Sequence, residues 1–444
     1  MQMTGEKQRY DFFELSKLRA KSFPQVHLLA DTATNVSVFL FASYFDFLML
    51  LEKEDTTGIK QINDSIELLR SGHEYFQKLV ELIDGAIREI HIQTYIFNND
   101  VTGLAVVESL KKAALRGVSI YVLVDSFGSN QLDNAFLQDV RQAGIHFKRY
   151  GKLLSKGRLH ISRRLHRKVV VIDGVISIVG GINIGNNYND LPGKPAWLDF
   201  AVLIRGNTSQ ALLKICRKRW RGVNFSSPVN PPETGSFSNG FSRMRNVRTI
   251  IRQNDFIGNK NEIAAVYRKA IRQAKSSLLI VGGYFLPGGS VRRQLRKACA
   301  NGVQISVILP ERSDVLLMVA AQHFLYAWMI RNGIKVYEYR PSNVHGKVII
   351  VDSEWLSIGS YDLNNLSTYS NIELNLEIPD RSFSESFTSE LQKIIREDCR
   401  LVRIEEFQKH VSWLRRVKYW ISYRLVKTLF YLSWWLSKSP DKNV

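Results

Sequence analysis

The pattern His-x-Lys-x-x-x-x-Asp occurs twice in this 444-residue chain, as His166-Arg-Lys168-Val-Val-Val-Ile-Asp173 and as His345-Gly-Lys347-Val-Ile-Ile-Val-Asp352. Residues two apart on a strand point to one face, so each copy sets an imidazole beside a fixed positive charge. The four β-branched residues that follow, 169–172 and 348–351, have the length and composition of a fully buried strand. One match in a chain of this length would be weak. Two matches, each followed at the same distance by a pair of small residues, Gly180-Gly181 and Gly359-Ser360, constrain the chain to two related halves with a His and a Lys at the mouth of a core strand in each.

Asp173-Gly174 is a hairpin turn signal, and the apolar run 175–179 returns from it. A two-residue loop predicts Ile172 opposite Val175 and brings Gly180-Gly181 alongside His166 and Lys168. The second copy turns near Asp352-Ser353 and returns Gly359-Ser360 toward His345. Backbone without bulk beside an imidazole and an ammonium lets a phosphate approach closely. Asp173 and Asp352 complete the motifs and are counted with the catalytic set, although their odd spacing from the histidines puts them on the opposite strand face and at the turn.

The rest of the chain reads as a duplication. A helical pattern starts at Ile66 and runs through Tyr75, Leu79, Leu82 and Ile83, giving way to strand character over 90–97. A helix over 103–116 and a strand over 118–125 complete a β-α-β unit, and a further helix ends near Gly144 before a strand over 145–150. The second half repeats this order with strands over 277–280, 302–309 and 334–339 and helices over 291–300 and 320–332. Gly117-Val aligns with Gly302-Val, and Gly144-Ile with Gly333-Ile. Between the halves, 224–246 is rich in Ser, Pro, Gly and Asn, which marks a boundary. The expected organisation is an extension over 1–60, a first domain over 61–223, a linker over 224–250, a second domain over 251–400 and a C-terminal segment over 401–444.

A formal charge of +20 predicts an anionic partner, a nucleic acid or an anionic membrane surface, and the sign alone does not choose. Three cysteines without metal spacing argue against a disulfide framework and a metal cluster. The apolar stretch 36–51, interrupted by Asp46, is shorter than the about 20 residues of a spanning helix and reads as buried or interfacial. The basic stretch 151–165 carries Lys152, Lys156, Arg158, Arg163 and Arg164, available to phosphate groups or to solvent. Segment 411–437 holds Trp413, Trp420, Trp434 and Trp435, with Arg415, Arg416, Lys418, Arg424 and Lys427 and no acid. Leu414, Val417, Ile421, Leu425, Leu429, Leu432 and Leu436 recur in it at helical spacing. That stripe suits an interfacial helix on anionic lipid, and it would equally suit a helix packed on the protein's own core.

The paired motifs, with their Gly-Gly-Ile-Asn183 and Gly-Ser-Tyr-Asp362 continuations, resemble the phospholipase D superfamily over roughly residues 61–400. The run 90–97, Tyr284-Phe-Leu-Pro-Gly288 and Leu309-Pro-Glu-Arg-Ser-Asp314 are most similar to bacterial cardiolipin synthases of the short type, without two N-terminal spanning helices. The resemblance implies an α/β fold of duplicated phospholipase D-like α-β-α sandwich domains with one shared active site, no cofactor and no metal. It also implies a phosphohistidine intermediate, with His166 the nucleophile and His345 the general acid; the residues themselves leave that order open. Lys168 and Lys347 would neutralise the transition-state oxygens. Asp199, in Trp197-Leu-Asp-Phe, and Glu373, in Asn371-Ile-Glu-Leu, match where the superfamily puts the carboxylates that orient the imidazoles. Asn183 and Ser360 complete the supporting set, and the other seven histidines, among them His73, His160 and His323, read as ordinary polar residues.

Two departures stand out: Gly181 where Ser is frequent, and Asp362 where Asn is frequent. An anionic Asp362 near a phosphate is unfavourable, so either it points away or substrate choice is altered. The expected function is a cardiolipin synthase joining two phosphatidylglycerol molecules with release of glycerol. The alternatives are a phospholipase D giving phosphatidic acid, a phosphodiesterase acting on nucleic acid, and a catalytically inactive membrane-binding protein. The implied partners are anionic phospholipids and a membrane surface, at the cytoplasmic face of the bacterial inner membrane and peripheral or shallowly inserted; the oligomeric state is open.

Overall fold

Each repeated motif opens a central strand of its own mixed sheet in the computed structural model, which describes residues 63–151, 163–220, 245–255, 260–405 and 411–437 with a few short pieces between them. The extension 1–60 with its apolar stretch, and Lys152, Lys156 and His160 of the basic stretch, lie outside the described residues.

The first half runs β1 (Asn63–Arg70), α1 (His73–Asp84), β2 (Glu89–Thr94), α2 (Val101–Leu115), β3 (Ser119–Asp125), α3 (Asn134–Gln142), β4 (His146–Tyr150), β5 (Arg164–Leu165), β6 (Lys168–Ile172), β7 (Ile176–Gly180), β8 (Phe200–Arg205), α4 (Asn207–Trp220) and β9 (Arg245–Arg248). The second half runs β10 (Ile250–Asp255), α5 (Glu262–Gln273), β11 (Ser277–Gly282), α6 (Gly289–Ala300), β12 (Gln304–Pro310), α7 (Leu316–Arg331), β13 (Lys335–Tyr339), β14 (Lys347–Val351), β15 (Trp355–Gly359), α8 (Asn365–Tyr369), β16 (Asn371–Ile378), α9 (Arg381–Asp398) and β17 (Cys399–Leu401). A last helix, α10 (Trp413–Ser437), follows. The first sheet has the order β9-β1-β8-β7-β6-β2-β3-β4, and the second β10-β16-β15-β14-β11-β12-β13-β17 with Lys260–Asn261 at its edge. The inner parts correspond strand for strand, as a duplication requires.

The motif strands are buried on both faces because the apolar run has two cores to fill. Val170 and Ile172 of β6 face a core closed by α1, α2 and α3. Val169 and Val171 enter another that also takes Val348 and Ile350 of β14, with Leu212 from α4 and Phe387 from α9. Ile349 and Val351 face a third core with α5, α6 and α7. The middle core therefore belongs to both halves. Gly117, Gly144, Gly302 and Gly333 all have positive φ (81° to 88°), ending α2, α3, α6 and α7 in a conformation that costs other residues more.

Three expectations change. Residues 63–70 form a strand paired with β8, not the start of a helix, and the helix begins only after Gly72, at φ 105°. The hairpin turn has Asp173 and Gly174 at positive φ with Val175 N donating to Ile172 O (3.1 Å), but Ile172 lies opposite Ile176 and Lys168 opposite Gly180. Val175 is thus one extra residue on the returning strand, and Glu354 takes the same place in the second hairpin, where Val351 lies opposite Trp355. Within the expected linker, Arg245–Arg248 form β9, which completes the edge of the first sheet beside β1.

Helix α10 lies on α7 and α8 through a face other than the predicted stripe. Ser422 and Val426 are buried, and Tyr423 stacks on Phe324 of α7 with ring centres 4.7 Å apart. Leu414, Val417, Ile421, Leu425, Leu429 and Leu432 are all exposed, together with Trp413 and Trp420. The side chains of Trp434, Trp435 and Leu436 lie outside the described residues.

Candidate active site

Each motif is held by backbone from the opposite half. Strand β5 pairs in parallel with the start of β16, and His166 N donates to Ile372 O (3.0 Å). In the reciprocal arrangement His345 N and Gly346 N both donate to Leu198 O (2.9 Å each), and Leu198 N donates to Asn343 O (2.8 Å). The residue after Ile372 is Glu373, and the residue after Leu198 is Asp199. The carboxylates consequently cross over.

His166 Nδ1 lies 2.9 Å from Glu373 Oε2, and His345 Nδ1 lies 2.7 Å from Asp199 Oδ2. Spacing along the chain pairs each carboxylate with the histidine before it, whereas the structure exchanges them between halves. Both carboxylates and both imidazoles are buried. A carboxylate at Nδ1 keeps the proton on that nitrogen and leaves Nε2 for the substrate. Lys168 Nζ donates to His166 O (2.6 Å) and Lys347 Nζ to His345 O, so each ammonium is fixed against its own motif.

The electrostatics differ between the halves. Burial works to raise Glu373, but His166, Lys168 and Ser360 together outweigh it and its carboxyl sits below the ordinary value. Burial pushes Asp199 up to about 6 in spite of Lys347. Burial, then Lys347, Lys168 and His166, drive His345 well below an ordinary imidazole. Burial and the neighbouring Lys347 bring Lys168 down to about 7. The two ammoniums and His166 so close by disfavour a proton on His345.

Ser360 Oγ donates to Glu373 Oε2 (2.6 Å) and accepts from Leu374 N (3.0 Å), so it fixes the carboxylate that fixes His166. A Cβ at Gly181 would stand 2.3 Å from Asp199 Oδ1. The first departure is thereby explained: the shorter acid occupies the space that a serine side chain would need, and Phe200 N (2.8 Å) supplies Asp199 Oδ1 with a donor instead. Asn183 accepts from Ile96 N (3.0 Å) and Thr94 Oγ1 (3.2 Å) and donates to Tyr188 Oη (2.7 Å), whose ring meets His345 edge-on at 5.2 Å. Asp362 does not point away: its Oδ1 is 3.4 Å from Lys347 Nζ, and the residue is buried.

Asp173 and Asp352 do not join this group. Asp173 accepts from the backbone N of Ile87, Arg88 and Glu89 (3.0, 2.8 and 2.9 Å), and Asp352 does the same for Lys275, Ser276 and Ser277 (2.9, 2.7 and 2.8 Å). They tie each motif hairpin to the chain entering β2 or β11, so their work is structural. Arg163 is engaged with Asp255 (2.5 Å), and Arg164 with Gly151 O (3.1 Å). His323 stands beside Glu338 (3.4 Å), away from the motifs.

Sequence reasoning missed two aromatic walls. Tyr95 meets His166 edge-on at 4.9 Å and lies under Lys168 at 5.4 Å; Tyr284 meets His345 at 6.4 Å and lies under Lys347 at 5.8 Å. Both follow the strand that pairs with the motif strand, β2 or β11. Laying Tyr95-Ile-Phe over Tyr284-Phe-Leu in the repeat would have found them. Tyr284 Oη donates to Asp314 (3.0 Å), which also accepts from Asn343 Nδ2 (3.2 Å).

The family pattern described as cardiolipin synthase, PLD-like domain, matches residues 79–192 and 267–395, one stretch in each half. The chain belongs to the cardiolipin synthase family. It is similar to cardiolipin synthase B of Salmonella typhi, 33% identical over 353 residues that cover 79% of this chain and 85% of that protein. Cardiolipin synthase B of Escherichia coli (strain K12) is 30% identical over 362 residues with the same coverage. Among solved structures, phosphatidylserine synthase of Haemophilus influenzae Rd KW20 matches with a TM-score of 0.62 over 83% of this chain and 97% of that one, a likeness of fold at 15% identity. As a cardiolipin synthase family member the chain is a phosphatidyltransferase of the phospholipase D superfamily, built of two phospholipase D-like domains. No helix among the described residues is long and apolar enough to cross a membrane.

Proposed function

We propose that the protein transfers the phosphatidyl group of one phosphatidylglycerol to a hydroxyl of another, giving cardiolipin and glycerol. The observation that carries this reading is the crossed pair His166–Glu373 and His345–Asp199 with a lysine beside each imidazole, in a chain of this family. In the first step His166 Nε2 attacks phosphorus, the bond from phosphorus to the glycerol head group breaks, and His345 gives its Nε2 proton to the departing oxygen. In the second step a head-group hydroxyl of the acceptor lipid attacks the phosphohistidine, its proton passes to His345, and the His166–phosphorus bond breaks. Lys168 and Lys347 stabilise the charge gathered on the non-bridging oxygens in both steps.

The assignment of attack to His166 follows the order of the motifs in the superfamily. The resting electrostatics run the other way, since His345 is the imidazole driven toward neutrality. Alkaline quench during turnover followed by peptide mass spectrometry is expected to find the phosphoryl group on His166; finding it on His345 reverses the roles.

The exposed stripe of α10, with Trp413 and Trp420 and no acid over 411–437, supports docking on an anionic bilayer at the cytoplasmic face of the inner membrane. On its packed side, Ser433 Oγ near the end of this helix bonds Ser370 Oγ (3.1 Å), which ties the helix to the segment three residues before Glu373. Lipid head groups then meet the phosphohistidine at high effective concentration, which favours transfer over hydrolysis. The test is chromatography of lipids after incubating purified protein with phosphatidylglycerol vesicles. Cardiolipin and free glycerol are expected, with phosphatidic acid minor, and both His166→Ala and His345→Ala should abolish turnover. Dominant phosphatidic acid means a hydrolase, and untouched lipid with cleaved DNA or RNA means a nuclease.

A further inference from the structure

Asp362 is the one carboxylate of the catalytic group with no task in the chemistry above. Its counterpart in the first half, Asn183, spends its amide on Ile96 N, Thr94 Oγ1 and Tyr188 Oη, tying down the chain that leaves β2. In the second half that work has passed to Asn364, whose Nδ2 donates to Tyr284 O (3.2 Å) and whose backbone bridges to Leu286. Asp362 is thus released from a structural role. Its Oδ1 is buried and accepts no hydrogen bond, and the Lys347 ammonium at 3.4 Å is its ion-pair partner.

A buried acceptor that has an ion pair but no hydrogen bond is costly unless something arrives to donate one. A phosphodiester cannot, because it brings acceptor oxygens and a negative charge. A hydroxyl can, and a carboxylate is the strongest acceptor a protein offers to one. The acceptor in the second step is a neutral glycerol head group with adjacent hydroxyls: one attacks phosphorus, and its neighbour is left with a proton to donate. Water attacking the same intermediate has no neighbouring hydroxyl.

We propose that Asp362 is a specificity residue for the acceptor, its Oδ1 taking a hydrogen bond from the hydroxyl next to the one that attacks, so that the enzyme prefers a vicinal diol over a simple alcohol or water. This rests on the transferase reading above. Burial raises the Asp362 carboxyl above its ordinary value and Lys347 opposes that rise, while Lys347 is itself held on His345 O, which ties Asp362 to the second motif.

The test separates acceptor choice from chemistry by using soluble acceptors with a labelled phosphatidylglycerol donor. Glycerol and 1-propanol compete in one reaction, and the ratio of the two phosphatidyl products is read, with phosphatidic acid as the water product. Wild type is expected to favour glycerol. Asp362→Asn and Asp362→Ser should each reduce the glycerol-to-propanol ratio about tenfold and raise the share of phosphatidic acid, through a higher KM for glycerol more than through kcat. An unchanged ratio in both variants, or folded variants inactive toward every acceptor, overturns the proposal. A wild type that makes no transfer product at all fails the transferase reading instead, which keeps the two failures apart.

Discussion

Residue by residue, the site is a set of dependencies crossing from one half to the other. Glu373 is ionised and bound to His166 Nδ1, so Glu373→Gln removes the charge that fixes the tautomer while keeping the shape. A drop in kcat of about a thousandfold or more is expected, with a thermal midpoint close to wild type. Rates and melting curves on one preparation check this; a variant within tenfold of wild type would show that Glu373 does not orient the nucleophile. The same residues set the pH dependence. Asp199 is anionic above about 6, and Lys168 is cationic below about 7. In kcat/KM, which reports the free enzyme, activity should fall on the acid side as Asp199 takes a proton and on the alkaline side as Lys168 loses one. Bound phosphodiester favours the charged ammonium, so the alkaline limb of kcat should lie at higher pH. Coincident alkaline limbs in the two profiles would remove Lys168 from the phosphate. Both lysines and both histidines were legible in the sequence from a spacing of two. The crossed carboxylates were legible as residues and not as partners, because chain spacing says nothing about which half lends its strand to which motif.

At the level of elements, the duplication made most strands and helices legible, since aligned glycines mark the ends of α2, α3, α6 and α7 in both copies. Strand β1 was misread as helix because Ile66, Leu69 and the apolar positions of α1 happen to continue a helical period, and only its pairing with β8 decides otherwise. Helix α10 was legible as amphipathic and ambiguous as to partner. Two faces of it are apolar: one, with Ser422, Tyr423 and Val426, lies on α7, and the predicted stripe is left in solvent. A chain ending at residue 410 should therefore lose affinity for phosphatidylglycerol vesicles in a flotation assay. Because that truncation also uncovers α7, the sharper variant is Leu425→Glu with Leu429→Glu, which leaves the packed face intact. If the double variant floats as well as wild type, the stripe is not the membrane contact.

For the whole molecule, the decisive fact is that the two halves share a middle core besides the core that each keeps to itself. Val169 and Val171 of one motif strand share a core with Val348 and Ile350 of the other, and α4 and α9 close that core from either half. Strand β5 is attached to the second sheet although the chain around it belongs to the first. Two domains each able to fold alone would bury such surfaces separately; here separation exposes Phe200, Leu212, Phe387 and both motif strands at once. Residues from 61 onward also form one compact unit. The expected outcome is a single cooperative unfolding transition in calorimetry, with equal calorimetric and van't Hoff enthalpies for that unit. A fragment ending at residue 223 should give no cooperative transition. Two resolved transitions, or a first-half fragment that melts sharply on its own, would mean that the shared core contributes little and that the active site is assembled by docking finished domains. The same interior gives the reason for one site rather than two: each histidine gains its orienting carboxylate only when the opposite half is folded against it, so catalytic competence and the global fold are a single equilibrium.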